Sequence, residues 1–176
     1  MQHFFKVLSL ALIFSSVLFV TVVSAQDVGP YFAASIGQSD IDLPVDKGTS
    51  FSLGFGYSLN KNFAVEASYI DFGEASDDIA PIWTLSADGF VVNFVGKVPF
   101  NEKISGFANL GFLAWDIKLD EAGTGTIATD EGTDFTYGLG IMFGVTDKVS
   151  CNLQYQMYEF DDVDVDNISV GIQVGF

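Results

Sequence analysis

Ile168-Ser169-Val170-Gly171-Ile172-Gln173-Val174-Gly175-Phe176 closes the chain. Apolar residues alternate there with small or polar ones, the two-residue period of a β-strand. One face carries Ile168, Val170, Ile172, Val174 and Phe176; the other carries Ser169, Gly171, Gln173 and Gly175. In a soluble sandwich the apolar face needs a second layer to cover it. In a closed barrel set in lipid the same face turns outward, and the last strand pairs with the first. The stretch therefore predicts a membrane location.

The same period recurs upstream near residues 31–38, 50–59, 63–72, 89–98, 104–115, 134–143 and 149–158, and with 167–176 this makes eight segments. The second is the clearest: Phe51, Leu53, Phe55, Tyr57 and Leu59 alternate with serines and glycines. Each segment is near the ~9–11 residues that cross a bilayer at a tilt. The connections alternate in length. Asn60-Lys61-Asn62, residues 99–103 and Thr146-Asp147-Lys148 are tight and polar, whereas 39–49, 73–88, 116–133 and 159–166 are longer and acidic. Short turns on one side and long loops on the other suit an outer-membrane barrel, with periplasmic turns and external loops. The expected fold is all-β: an eight-stranded antiparallel up-and-down transmembrane β-barrel of a Gram-negative bacterium. It should be monomeric, with outer-membrane lipid and lipopolysaccharide around it. Phe32, Phe63, Phe100 and Phe176 at one set of strand ends, and Phe51, Tyr69, Phe90 and Phe135 at the other, fit interfacial girdles.

Lys6 precedes an apolar run from Val7 to Val23, and Val23-Ser24-Ala25 supplies small residues before Gln26. This predicts a signal peptide over residues 1–25 and a barrel domain over 26–176. After residue 25 no apolar run is long enough for a membrane helix. The formal net charge is −16, arginine is absent, and the one histidine, His3, falls in the leader. Such acidity argues against nucleic acid or anionic lipid as a partner. Without a later histidine, neither a Ser-His-Asp site nor histidine-ligated zinc can form. The acids fall mostly in solvated loops, where nothing raises a carboxylate pKa. The chain reads as a non-enzyme without a cofactor. Cys151 stands alone, so no internal disulfide forms.

An eight-stranded barrel is filled by its own side chains. Alternation turns inward a small, polar set that includes Asn93, Asn109, Asn152, Gln154 and Gln173, with Ser35, Ser52, Thr136, Gln156 and Ser169. Glu66 and Lys97 are the oppositely charged members, on neighbouring strands. A lone buried charge is costly, so the two are expected to form an ion pair in the lower lumen. The fifth strand has two registers open to it: one turns Phe107, Leu113 and Trp115 inward, the other Leu110, Phe112 and Ala114. In the first, Ile70, Phe72 and Trp115 line an apolar upper lumen, either a dry plug or a pocket for a small hydrophobic ligand.

Asp161-Asp162-Val163-Asp164-Val165-Asp166 is the densest acidic run. Asp162, Asp164 and Asp166 would share a face, and oxygen-only ligands suit divalent cations such as Ca²⁺ or Mg²⁺. There is no EF-hand pattern. A weak divalent-cation loop formed by Asp161, Asp162, Asp164 and Asp166 therefore stands beside plain solvated charge as a reading of this run.

Gly29-Pro-Tyr-Phe-Ala-Ala-Ser-Ile-Gly37, Gly54-Phe-Gly-Tyr-Ser-Leu-Asn-Lys-Asn-Phe-Ala-Val-Glu66, Tyr137-Gly-Leu-Gly140 and the closing strand occur in this order. Together they resemble the small OmpA-like outer-membrane β-barrels over about residues 29–176. The resemblance implies an eight-stranded barrel, here without the family's frequent C-terminal peptidoglycan-binding domain, and interior charge clusters near Glu66 and Lys97. It also implies that Ile168, Val170, Ile172, Val174 and Phe176 form the signal read by the outer-membrane assembly machinery. Where such barrels often carry Arg this chain has Asn152, which reduces any wider charge network. The expected role is structural or surface-interacting, with at most narrow porin-like permeability. The alternatives are a barrel binding or transporting small hydrophobic compounds through an apolar upper lumen, and a soluble calycin-like barrel of reversed polarity.

Overall fold

The computed structural model describes residues 28–41, 48–77, 83–121, 124–160 and 163–176. The expected signal peptide lies outside the described residues. Eight strands follow in chain order: β1 (Gly29–Ile41), β2 (Gly48–Ser58), β3 (Phe63–Asp77), β4 (Trp83–Pro99), β5 (Ile104–Glu121), β6 (Gly125–Gly144), β7 (Val149–Phe160) and β8 (Val163–Gly175). Each pairs antiparallel with its sequence neighbour, and β1 closes on β8 from Tyr31↔Gly175 to Ile41↔Val165. Closure pairs the backbone on both sides of every strand, which hydrocarbon demands because no water is present to satisfy a free edge.

The polarity is inside-out. Phe32, Phe90, Leu110, Phe112, Leu139 and Ile168 are each more than half exposed on the outer wall, whereas Asn93, Asn109, Thr136 and Gln156 are buried. This overturns the soluble-barrel alternative, which requires the reverse. Aromatic rings pair across strands on the outer wall: Phe32 stacks on Phe176 at 5.3 Å, Phe63 on Phe94 at 5.5 Å, and Tyr69 meets Phe90 at 5.3 Å.

The three tight turns share one device. Asn60 Oδ1 accepts the N–H groups of Asn62 and Phe63, Asn101 Oδ1 those of Lys103 and Ile104, and Thr146 Oγ1 those of Lys148 and Val149. A short polar side chain here substitutes for a backbone acceptor and folds the chain back where apolar alternation ends.

At the other end the ladders run past the lengths that alternation predicts. β4 begins at Trp83, β5 reaches Glu121 and β6 starts at Gly125, so most of 73–88 and 116–133, expected as loops, is strand. β1, β2, β7 and β8 extend more modestly, by up to four residues at this end. Beyond the lipid both faces of a strand are wetted, so the apolar period disappears although pairing continues. Above Gly73, β3 has no ladder partner on its β2 side among the described residues. Above Thr136, β6 has none on its β7 side among the described residues. Strands β3 to β6 therefore rise past the barrel as a four-stranded sheet. A bulge between Asp71 and Glu74 starts this departure. At Gly73, φ is +82° and a Cβ would strike the Thr49 backbone, so only glycine fits.

Candidate functional site: a plugged lumen beneath a projecting sheet

The lumen is layered. Nearest the short turns, Tyr31, Ala64, Val95 and Phe107 pack together with Ala33 and Met142. The Tyr31 ring lies against Gly56, where any Cβ would fall within the ring, and Phe107 and Trp115 use Gly140 and Gly132 in the same way. Glycine on one strand thus makes room for an aromatic ring on its neighbour.

Tyr31 also organises the charges. Its hydroxyl is hydrogen-bonded to Glu66 and Gln173, and Lys97 Nζ lies 5.4 Å from its ring centroid. The Lys97 charge acts on Glu66. Glu66 and Lys97, expected as neighbours in the lower lumen, thus meet around an aromatic residue that the sequence reading had not placed inside. Tyr31 shares the parity of Ser35, so alternation alone could have found it.

Above this cluster a chamber of about 60 Å³ is lined by Asn93, Asn109, Asn152, Gln154 and Gln173, among others. All five side chains expected in the lumen do face it. Gln154 Nε2 donates to Gln156 Oε1 at 2.7 Å, Gln156 Nε2 donates to Thr136 Oγ1 at 2.6 Å, and that hydroxyl donates to the Met157 carbonyl. Asn167 Nδ2 donates to Ser39 and Ser50. The Oδ1 atoms of Asn93, Asn109 and Asn152 have no hydrogen-bond partner among the described residues.

Above the chamber, Ile70, Phe72, Ala87, Val91, Leu113, Trp115, Tyr158 and Val165 form one buried cluster. Phe107, Leu113 and Trp115 point inward, which decides between the two registers of the fifth strand. Phe72 meets Tyr158 edge-on at 4.9 Å, and Trp115 Nε1 donates to Asp134 at 2.6 Å. With its one polar atom satisfied, Trp115 completes a packed plug.

On the outer wall, apolar columns end in carboxylates: Asp71 above Tyr69, Asp88 above Phe90, Asp116 above Ala114 and Asp166 above Ile168. Tyr155 donates its hydroxyl to Asp166 at 2.6 Å. Of the acidic run, Asp161 and Asp162 lie outside the described residues. Asp164 is exposed and shares the outer face with Asp166, while Val165 is buried inside. Among the described residues no group of three or more acidic, histidine or cysteine side chains is placed to hold a metal ion.

A closed cylinder with an apolar exterior and a polar, plugged interior defines a transmembrane β-barrel of the bacterial outer membrane. The chain belongs to the outer membrane protein beta-barrel domain family, whose model matches residues 9–176. The fold is similar to that of Neisserial surface protein A, with a TM-score of 0.67, 16% identity and coverage of 84% of this chain and 96% of that one. It is also similar to Ail, the attachment invasion locus protein of Yersinia pestis, solved with a heparin analogue (TM-score 0.58, 18% identity, 85% and 97% coverage). The outer membrane enzyme PagL shares it too (TM-score 0.52, 13% identity, 83% and 99% coverage). No curated protein matches the chain by sequence.

Proposed function

We propose that this chain is a surface-interaction barrel: a plugged anchor that holds a sheet outside the membrane, where the free edge of β6 takes up an extended segment of a partner. The observation that carries the reading is residues 125–135 of β6, which among the described residues have ladder partners on the β5 side only. A strand edge without a neighbouring ladder is a template for strand addition; within it the Glu131 N–H is already held by Asp130 Oδ1 at 3.0 Å. Thr126, Ile127 and Thr129 are exposed along it, and Asp130 and Glu131 discourage indiscriminate pairing. Two β6 edges of copies standing upright in one membrane could join only in parallel, the less stable ladder, which favours a different molecule as the partner of this edge.

The layered lumen supports at most narrow permeability. With Leu113 and Trp115 filling the upper lumen, transport of hydrophobic compounds has less support. Because the fold also hosts an enzyme, the non-enzyme reading rests on residues: no histidine follows position 25, and the described acids form no group of three or more placed to hold a metal ion. Residues 1–25 are read as a leader, and Glu66 with Lys97 as an ion pair braced by Tyr31.

The test uses the full chain in lipid nanodiscs, exposed to a library of basic, strand-forming peptides. Backbone amide shifts confined to residues 125–135, and abolished by Thr129→Pro, are expected. Binding elsewhere, or binding indifferent to that proline, overturns the reading.

A further inference from the structure

The short-turn end of the barrel carries charge unlike the rest of the molecule. An open vestibule at this mouth is lined by Lys61, Lys97, Lys103 and Lys148, four of the chain's seven lysines. Among the described acidic residues, Glu102 and Asp147 line it. At the opposite end the apolar columns finish in carboxylates. In a chain of net charge −16, whose overall acidity argues against anionic partners, this rim is a place where the described lysines outnumber the described acids.

The positions of these lysines add a second argument. Lys61, Lys103 and Lys148 are exposed, one on each tight turn, and the turns are held by the Asn60, Asn101 and Thr146 side chains. Each turn also sets an apolar residue on the outer wall: Leu59 and Phe63 flank Lys61, Phe100 precedes Lys103, and Val145 precedes Lys148. Phe100 and Val145 are 65% and 62% exposed. An apolar side chain in the acyl layer, beside an ammonium at its polar boundary, seats that ammonium at the level of lipid phosphates. The arrangement occurs three times around one rim. Glu102 and Asp147 keep the rim from being a general polycation and leave the three ammonium groups as separate points of contact.

We propose that this rim is a phosphate-recognising face, with Lys61, Lys103 and Lys148 each engaging the oxyanion of an acidic phospholipid headgroup or of a phosphate anion in the vestibule. Lys97, bound up with Tyr31 and Glu66, forms the floor. The proposal is independent of the β6 edge, which lies at the other end of the molecule.

Two arms of one experiment separate the sources. In the first, the full chain is placed in nanodiscs of phosphatidylcholine with a minority of phosphatidylglycerol, and the lipids retained on the protein are quantified by native mass spectrometry. Wild type should enrich phosphatidylglycerol. K61Q/K103Q/K148Q should lose that enrichment at least about three-fold, and K61R/K103R/K148R should restore it. A heat-modifiable gel band checks that each variant folds. In the second arm, inorganic phosphate is titrated onto the chain in pure phosphatidylcholine nanodiscs while the turn amides are followed by NMR. Enrichment that depends on the lysines assigns the site to lipid. Saturable shifts at Lys103 and Lys148 assign it to the free anion. Equal enrichment in wild type and the glutamine variant, together with no saturable shift, overturns the proposal.

Discussion

Tyr31 stands between the two charged residues of the lumen: its hydroxyl is hydrogen-bonded to Glu66, and Lys97 Nζ lies 5.4 Å from the centre of its ring. In the ladder Glu66 faces Asn93, four residues from Lys97, so the aromatic ring fills a step that the two charged side chains would otherwise span alone. Tyr31→Phe keeps the ring and removes the hydroxyl. It should cost about 1–3 kcal/mol in urea unfolding from vesicles, because a carboxylate facing the lumen loses a donor. Lys97→Met should cost about 3–5 kcal/mol by leaving Glu66 without its counter-charge, and adding Glu66→Gln should recover most of that. A coupling below about 0.5 kcal/mol in the Glu66–Lys97 cycle would sink the ion pair.

The contact of Tyr31 with Gly56 makes a steric prediction. Gly56→Ala places a methyl group inside the ring position and should destabilise by about 1–3 kcal/mol. Combining it with Tyr31→Leu should return part of the loss. If the single variant unfolds like wild type, the ring is not seated on that glycine.

Lipid exposure is checked on the outer wall. Leu139→Lys puts a charge in the apolar belt and should cost about 2–4 kcal/mol, whereas Asp116→Lys, above the belt, should cost about 0–1 kcal/mol. Equal penalties, read from vesicle unfolding, would contradict this placement of the membrane.

The plug makes a prediction about passage. Leu113→Ala with Trp115→Ala empties the upper cluster but leaves Tyr31 and Phe107 closing the lower one. Planar bilayers should stay electrically silent while a small hydrophobic dye gains a binding site. Steady conductance from this variant would show that the lower layer is no barrier.

For the leader, N-terminal sequencing of the protein purified from outer membranes should begin at Gln26. Retention of Met1 in the mature protein would remove the signal-peptide assignment.

The barrel was legible in the sequence wherever lipid or lumen imposed a period of two. Phe51 to Leu59 and Ile168 to Phe176 announce their faces because each residue meets hydrocarbon or a polar interior. The projecting sheet was not legible. Residues 125–131 of β6 are exposed on both faces, so Thr, Asp and Gly occur there without periodicity, and only the backbone register reveals a strand. The lumen charges were readable from parity, and so was Tyr31, which shares the face of Ser35; an aromatic residue near a strand end also fits an interfacial girdle, which masks its inward placement. The register of β5 was undecidable from its own residues, since Leu113 and Phe112 are alike apolar. It is set by the neighbours, where Gly132 and Gly140 leave room for Trp115 and Phe107.

The β1–β8 ladder ties Tyr31 to Gly175, almost the whole length of the barrel sequence apart. Every other ladder joins consecutive strands and can zip as soon as its hairpin exists. This seam has to wait until β8 has been made, and such remote pairing is slow. Until then the first and last strands each keep a bare side open to the wrong neighbour. Losing the final strand would remove two ladders at once, leaving an unsealed curl instead of a slightly frayed cylinder.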